Sequence, residues 1–234
     1  PSFQIVEIMG TGGFELLTID VEQAPIGIEI VANLIAHIQS NGMQALVRVS
    51  KNEEVVIKKV LDAGADGIIV PMVKNSDEAQ MAVDYAKYPP IGKRGVGLNR
   101  AHNYGATFKE YKDWVSKELV IIAQIEHIDA VNNIEEIISV NGIDGVIIGP
   151  YDLSASMGYP GEYNRKEVVS ALNELQDKLF KHNFPSGFHV IESDSEYTIE
   201  KIKKGYTFLA FSIDFFFLGD LARNEMKKIK DTLS

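Results

Sequence analysis

Seven short, almost continuously apolar segments recur along this chain, and segments with helical periodicity separate them. Buried runs of this kind are typical of parallel strands that are covered on both faces. Because parallel strands need long return connections, the alternation predicts repeated β-α units around one parallel sheet. The predicted strands cover residues 15–20, 44–49, 67–73, 120–126, 145–151, 186–191 and 207–213.

The intervening segments carry the apolar spacing and the end signals of helices. One of them follows Asn52, a good N-terminal cap, and stops at Gly64. The predicted helices cover residues 2–10, 27–40, 53–63, 77–87, 128–139, 164–182, 194–204 and 219–232. Residues 88–118 are rich in glycine, contain no clear strand and interrupt the alternation, so we expect a functional or interface loop there.

Two α/β folds fit this order of elements, a closed (β/α)8 barrel and an open doubly wound sheet. No Gly-x-Gly-x-x-Gly motif follows a predicted strand, which disfavours a dinucleotide-binding sheet. We therefore favour a TIM barrel that forms a single domain over residues 1–234. A barrel needs eight strands, and this chain opens with a helix, so the first strand is expected upstream of Pro1 in an N-terminally truncated barrel.

The composition argues against several classes of function. The formal net charge is −10, whereas nucleic-acid phosphates demand a basic surface. The absence of cysteine removes disulfides, thiolate metal sites and a cysteine nucleophile. No apolar stretch approaches the ~20 residues of a membrane span, and no signal-peptide pattern is present. We expect a cytoplasmic protein that binds neither nucleic acid nor membrane.

Two carboxylates follow buried apolar runs in consecutive β-α units. Glu126 closes the run that begins at Val120, and Asp152 closes the run that begins at Gly145. Adjacent strands lie about 4.8 Å apart, so both side chains would emerge at the edge where barrel active sites form. Two oxygen ligands that leave room for water and substrate suit Mg²⁺ or Mn²⁺. The structural alternatives are a helix cap for Asp152 and an ion pair for Glu126.

Other polar side chains lie at or near predicted strand ends. Arg48 could hold the carboxylate of a 2-oxo acid bidentately, and the alternative is a buried ion pair with Asp20 or Glu22. Gln124 is either a polar core residue or a donor to a substrate oxygen. A lone His in a strand is more often structural, but the place of His189 at a strand end makes it a candidate site residue.

A longer series of motifs surrounds these residues. In chain order the motifs are Phe14-Glu15-Leu16-Leu17-Thr18-Ile19-Asp20-x-Glu22, Val47-Arg48-Val49, Leu61-Asp62-x-Gly64-Ala65, Val70-Pro71-Met72-Val73, Tyr88-Pro89-Pro90-x-Gly92-x-Arg94-Gly95, Gln124-Ile125-Glu126 and Gly142-Ile143-Asp144-Gly145-Val146-x-Ile148-Gly149-Pro150-x-Asp152-Leu153-Ser154. The series resembles the HpcH/HpaI aldolases, the metal-dependent class II pyruvate aldolases. These include 4-hydroxy-2-oxoheptanedioate aldolase and 2-keto-3-deoxy sugar acid aldolases, and the resemblance covers essentially the whole chain.

The resemblance implies a (β/α)8 TIM barrel of the phosphoenolpyruvate/pyruvate-domain type. It also implies a homo-oligomer, usually a hexamer in which the last helix packs on a neighbouring subunit. The divalent metal, Mg²⁺, Mn²⁺ or possibly Co²⁺, would be bound by Glu126 and Asp152. The residues that would bind or face the substrate are Arg48, Gln124, Gly149, Tyr151 and His189.

One position departs from the family pattern. The family usually has a His after Asp-x-Glu that assists proton transfer together with an Asp in the motif that matches Asp62, whereas this chain has Gln23. A Gln amide can donate and accept hydrogen bonds but does not titrate. Metal-bound hydroxide, His189 or His102 could transfer the proton instead, or the barrel could have a changed reaction or a binding role.

The leading hypothesis is a lyase that cleaves or forms a 4-hydroxy-2-oxo acid through a pyruvate enolate, with an aldehyde as the second partner. Such a reaction would serve the catabolism of carbohydrate acids or aromatic compounds. The alternatives are a related lyase that acts on an acyl-CoA or another carboxylate, and a non-catalytic barrel that binds a keto acid or a metal. The CoA alternative depends on a basic cluster, and the obvious one is Lys93, Arg94 and Arg100.

Overall fold

A computed structural model describes residues 2–233 and contains one parallel sheet. Its seven strands lie in chain order, so each strand pairs with its sequence neighbours. In the described residues β1 pairs only with β2 and β7 only with β6, and the sheet curls into a nearly closed barrel with two edges. The strands are β1 Leu16–Asp20, β2 Gln44–Arg48, β3 Gly67–Val70, β4 Val120–Ile125, β5 Gly145–Ile148, β6 Ser186–Val190 and β7 Phe208–Phe211.

Helices connect the strands, as parallel pairing requires. The α-helices are α1 Phe3–Thr11, α2 Ile28–Ser40, α3 Glu54–Asp62, α4 Ser76–Ala86, α5 Phe108–Lys117, α6 Ile128–Asn132, α7 Ile134–Ile138, α8 Pro150–Ser156, α9 Lys166–Lys181, α10 Ser195–Lys204 and α11 Asp214–Leu233. A short 3-10 segment, Arg100–Gly105, precedes α5. No described helix is long and apolar enough to cross a membrane.

Strand alternation divides the core into two layers. The side chains that fill the barrel interior form a small cluster of Leu46, Ile69, Ile122 and Ile147. A larger cluster, which includes Val47 and Val49, packs between the sheet and the helices. Because both faces of each central strand are covered, every position along it can be apolar, which explains the continuous runs in the sequence. The predicted barrel fold is therefore confirmed, while an eighth strand upstream of Pro1 stays a prediction because Pro1 lies outside the described residues.

The structure differs from the predicted elements at five places. The predicted strand 67–73 ends at Val70, because a turn follows at Pro71 and Met72. Residues 88–118 include helix α5, which the glycines earlier in the segment obscure. The predicted helix 128–139 divides into α6 and α7 at Asn133, a residue type that favours helix ends. The predicted strand 145–151 ends at Ile148 because Pro150 opens α8. Helix α11 begins at Asp214, earlier than the predicted 219–232.

Candidate active site

Alternation along the strands directs several polar side chains toward the barrel interior near the carboxyl ends. Arg48 lies two residues beyond the interior Leu46, on the same face of β2. Asp20 lies beside Arg48 in the register of β1 and β2. On β6, His189 lies beside Ala210, which packs on the interior cluster. The strand ends therefore bring charged groups to the mouth of the barrel.

Glu126 directly follows β4 and is only 2% exposed. The backbone N–H of Met72 donates to its Oε1 at 2.8 Å, and the Gln124 side chain donates to its Oε2. Burial is the largest cause that raises the pKa of Glu126 to about 7. The two hydrogen bonds lower this pKa, whereas the charges of Glu22 and Asp152 raise it. Gln124 thus orients a carboxylate that shares its surroundings with two others.

Asp152 reaches this region from the first turn of α8 rather than from a strand end. Gly149 is the N-terminal cap residue of that helix, so Asp152 does not act as the cap, and its side chain is exposed. A Cβ on Gly149 would lie 3.2 Å from both Cβ and Oε2 of Glu126. Glycine at this position lets the backbone between β5 and α8 approach Glu126 closely, which brings α8 against the buried carboxylate.

Arg48 forms the ion pairs that were the structural alternative for this residue. Its Nε and Nη2 donate to Asp20 at 3.0 and 2.6 Å, and its Nη1 lies 3.3 Å from Glu22 Oε2. Burial acts to lower the pKa of Arg48, but the Asp20 and Glu22 carboxylates outweigh it and raise that pKa. Burial also opposes the shift at Asp20, where the hydrogen bonds and charge of Arg48 lower the pKa of the carboxyl. Nη1 still has N–H groups that can donate to a bound anion.

The carboxylates at the mouth outnumber the guanidinium beside them, and their oxygen atoms are of the kind that divalent cations bind. Glu22 Oε2 is buried and has no hydrogen-bond partner, and burial together with Asp20 and Asp152 raises the pKa of Glu22 despite the charge of Arg48. Glu126 and Asp152 add two further carboxylates near the single guanidinium. The described residues contain no group of three or more His, Cys, Asp or Glu side chains arranged to hold a metal ion. Oxygen ligands of this kind are those that Mg²⁺ and Mn²⁺ prefer.

His189 faces the positive charge of Arg48 inside the mouth. Burial, followed by the Arg48 charge, lowers the pKa of His189 to about 4, against smaller opposing contributions from Asp20 and Glu192. The imidazole is therefore neutral at neutral pH. A neutral ring can donate one hydrogen bond and accept another, but it is a weak base.

The lowered pKa of His189 predicts a pH dependence of stability. The unfolded chain binds a proton near pH 6.5 and the folded chain only near pH 4, so unfolding becomes easier as the pH falls through that window. The unfolding free energy of the unmodified protein should fall between pH 7 and pH 4.5. In His189→Gln we expect this fall to be about 2 kcal/mol smaller. Urea denaturation at the two pH values measures this difference. An unchanged pH dependence in the variant would contradict the burial of His189 at the barrel mouth.

Comparison with known proteins identifies the family. The chain matches the profile of the HpcH/HpaI aldolase/citrate lyase family over residues 2–218. It belongs to this family. A hydroxypyruvate/pyruvate aldolase of Sagittula stellata is 38% identical over 214 residues, which are 91% of this chain and 83% of that protein. A 5-keto-4-deoxy-D-glucarate aldolase of Escherichia coli is 33% identical over 227 residues, 97% of this chain and 86% of that protein.

A solved HpcH/HpaI aldolase from Desulfitobacterium hafniense has the same architecture as this family member. Its TM-score is 0.90 at 29% identity, and the match covers 98% of this chain and 88% of that one. The predicted family, the barrel fold and the aldolase class are confirmed. The roles of individual site residues stay predictions, and we take them up in the proposed function.

Gln23 and Asp62, which stand at the positions of the family's proton-transfer His and Asp, lie apart from each other in this HpcH/HpaI protein. Gln23 is exposed just beyond β1, and its backbone N–H donates to Asp20 at 3.3 Å. Asp62 ends α3, whose chain then enters β3, so it lies at the amino-terminal end of the barrel, opposite Glu126. There Asp62 Oδ1 accepts a 2.6 Å hydrogen bond from the fully buried Arg94. Within one chain, Asp62 does not join the other candidates.

The basic cluster that motivated the acyl-CoA alternative is engaged within the protein. Lys93 pairs with Asp84 at 2.6 Å, and Arg94 is enclosed with Asp62. Arg100 donates to Gln39 Oε1 at 2.8 Å and to a backbone carbonyl. These cations therefore do not form a free surface for CoA phosphates. His102 is also fully buried, inside the 88–118 segment.

The sequence did not point to several groups that this aldolase fold brings to the mouth. Met72 contributes a backbone N–H to Glu126 from a left-handed φ of 56°, although the sequence analysis placed this residue inside a strand. Tyr163 and Glu192 meet Tyr151 above the strands. Both come from irregular segments far apart in sequence, so no spacing signal could have linked them.

Proposed function

We propose that this chain is a divalent-metal-dependent aldolase that cleaves or forms a 4-hydroxy-2-oxo acid, with pyruvate and an aldehyde as its partners. The observation that carries the proposal is the excess of negative charge from Glu22, Glu126 and Asp152 beside the Arg48 guanidinium at the barrel mouth. The named activities of the relatives, which include hydroxypyruvate/pyruvate aldolase, support the choice of a 2-oxo acid. Glu126 and Asp152 would hold the metal, which we expect to be Mg²⁺ or Mn²⁺.

The chain's own groups have distinct parts in this proposal. A bound divalent cation would act as a Lewis acid that polarises the keto oxygen of the 2-oxo acid. Arg48 donates from Nη1 to the substrate carboxylate or keto oxygen and offsets the negative charge that develops when the C3–C4 bond breaks. Asp20 fixes the guanidinium bidentately, and Gln124 fixes Glu126, so both charged groups are oriented before substrate arrives. Neutral His189 and the backbone beside Gly149 and Tyr151 would line the same pocket.

Metal removal tests the proposal. Pyruvate release from a panel of 4-hydroxy-2-oxo acids can be followed with lactate dehydrogenase and NADH, after EDTA treatment and after addition of Mg²⁺, Mn²⁺ or Co²⁺. We expect release to fall at least ~100-fold without metal and to return when metal is added. Binding of pyruvate without turnover of any acid would instead indicate a keto-acid-binding barrel, in keeping with Gln23. Turnover that is independent of metal would contradict the metal assignment.

We also propose a homo-oligomer, supported by the C-terminal helix. No described residue of α11 is buried, and its apolar side chains are largely exposed, including Phe215 at 62%, Leu218 at 65% and Leu221 at 64%. A helix that leaves such a face unburied within its own chain needs a partner. Light scattering should give a mass that corresponds to two or more chains of 25.9 kDa each. Leu218→Glu combined with Leu221→Glu should shift the protein toward monomer, and a wild-type monomer would contradict the proposal.

A further inference from the structure

Tyr151, Tyr163 and Glu192 form a hydrogen-bonded cluster at the carboxyl end of the barrel. Both phenol O–H groups donate to the same oxygen, Glu192 Oε1, each at 3.2 Å. The two rings lie 4.9 Å apart between centroids. Two tyrosines, one at the start of α8 and one in the loop before α9, thus converge on a carboxylate from the segment after β6. Side chains from separate segments that meet at one exposed carboxylate form an ordered polar surface at this end of the barrel.

This cluster borders the site described above. Tyr151 immediately precedes Asp152 in the first turn of α8. Glu192 lies two residues beyond the end of β6, and its charge acts on His189 inside the mouth. The other end of a substrate whose 2-oxo acid lies between Arg48 and the carboxylates can therefore reach the cluster. That other end is the part that leaves or enters as the aldehyde.

The hydrogen-bond inventory of the cluster selects the kind of group it can bind. Both phenol hydrogens are used by Glu192, so the three side chains have acceptor capacity left and no free hydrogen to donate. Glu192 Oε2 accepts no hydrogen bond from the described residues and is exposed. Acceptors that carry a net negative charge suit hydroxyl donors. They repel a carboxylate, which brings acceptors and a second negative charge.

The cations near the mouth each lie within 4.0 Å of at least one carboxylate, so each brings a neighbouring negative charge with it. Lys51, after β2, lies 3.7 Å from Glu53, and Lys74, after β3, lies 4.0 Å from Glu78. Arg165, before α9, pairs with two carboxylates, each at 3.1 Å. Among the described residues, the segments that join the strand ends to the following helices carry no other Lys or Arg.

We propose that Tyr151, Tyr163 and Glu192 are a specificity subsite that binds the hydroxyl groups of an uncharged hydroxyaldehyde and disfavours aldehydes that carry a carboxylate. The inference rests on the proposed aldolase function and names the class of its second substrate. It assigns no step of the reaction to these side chains. Their effect is on which aldehyde is held beside the reacting carbon.

Aldol additions of pyruvate test the subsite. The kcat/KM values are compared for D-glyceraldehyde, propionaldehyde and glyoxylate, which are hydroxylated, unsubstituted and acidic respectively. Glu192→Gln should lower the value for D-glyceraldehyde about tenfold and raise it for glyoxylate about threefold, because a charged acceptor becomes a neutral amide. Tyr163→Phe should lower kcat/KM for D-glyceraldehyde and leave kcat/KM for propionaldehyde unchanged. Glu196→Gln is the matched control, since it removes the same charge from an exposed residue of neighbouring α10.

The outcomes separate this inference from the proposed function. Equal changes for all three aldehydes in Glu192→Gln, or the same selectivity change in Glu196→Gln, would overturn the subsite while leaving the aldolase intact. Carbon–carbon bond formation with none of the aldehydes would overturn the proposed function. In that case saturation-transfer NMR of D-glyceraldehyde and glyoxylate still tests whether the subsite binds the aldehyde. Weaker transfer to D-glyceraldehyde in Glu192→Gln than in the unmodified protein supports the subsite, and equal transfer overturns it.

Discussion

Replacing Glu126 with Gln should reduce metal-stimulated pyruvate release at least ~100-fold, the largest effect that we expect from a single substitution. Glu126 is buried and already oriented by Met72 and Gln124, so an amide of the same shape would keep the packing and lose the anionic ligand. Asp152→Asn should have a similar effect from the opposite side of the site. The coupled assay at saturating Mn²⁺ measures both variants.

Stability provides a second readout for Glu126→Gln. The native Glu126 carboxyl binds its proton up to about pH 7, whereas an unfolded one releases it near pH 4.5, so the metal-free protein loses stability as the pH rises through that window. At pH 8 the unfolding free energy of the variant should therefore be about 2 kcal/mol higher than that of the unmodified metal-free protein. At pH 4 the variant should have no such advantage. Glu136→Gln, an exposed carboxylate on α7, is the control and should change neither activity nor this pH dependence. Full activity of Glu126→Gln would exclude Glu126 as a metal ligand.

Arg48→Met should have the second large effect, on substrate binding and on stability together. Loss of a charge-assisted donor to the 2-oxo acid should lower kcat/KM roughly 100-fold. Asp20 and Glu22 would also lose the cation that pairs with them, and other carboxylates lie nearby. Because these ion pairs are partly exposed, the loss should lower the unfolding free energy by roughly 2 kcal/mol. Steady-state kinetics and urea denaturation separate the two effects.

A second substitution distinguishes binding from structure at Arg48. Adding Asp20→Asn to Arg48→Met removes the unpaired carboxylate, so stability should partly return while kcat/KM stays low. Recovery of activity along with stability would show that Arg48 only balances Asp20. Arg48→Lys keeps the charge but not the two-pronged geometry, and we expect it to lie between the parent and Arg48→Met.

The barrel could be predicted because each strand is buried on both faces, so its residues read as one apolar run. The runs around Ile121 and Val146 show this pattern, and both became central strands. The ends of the strands and helices were harder to predict from the sequence. Pro150 is compatible with either the end of a strand or the first turn of a helix, and in the structure it opens α8.

The candidate site was partly accessible from sequence. Carboxylates and an arginine at strand ends are visible in the chain, because strand order determines which ends meet. The ion pairs of Arg48 were visible only as an alternative, since residue spacing does not say which partner an arginine faces. Contacts such as the Met72 N–H on Glu126, or Tyr163 on Glu192, depend on turns whose geometry has little sequence signal. The position that matches the family His is Gln23, and its exposure could not be read from spacing.

A crystal structure of the protein soaked with Mn²⁺ and pyruvate would test the metal ligands and the role of Arg48 together. We expect an anomalous manganese peak about 2.2 Å from one carboxylate oxygen each of Glu126 and Asp152. We also expect the bound pyruvate to accept a hydrogen bond from Arg48. A manganese peak elsewhere, or pyruvate bound away from Arg48, would contradict these roles, as would the absence of manganese at saturating concentration.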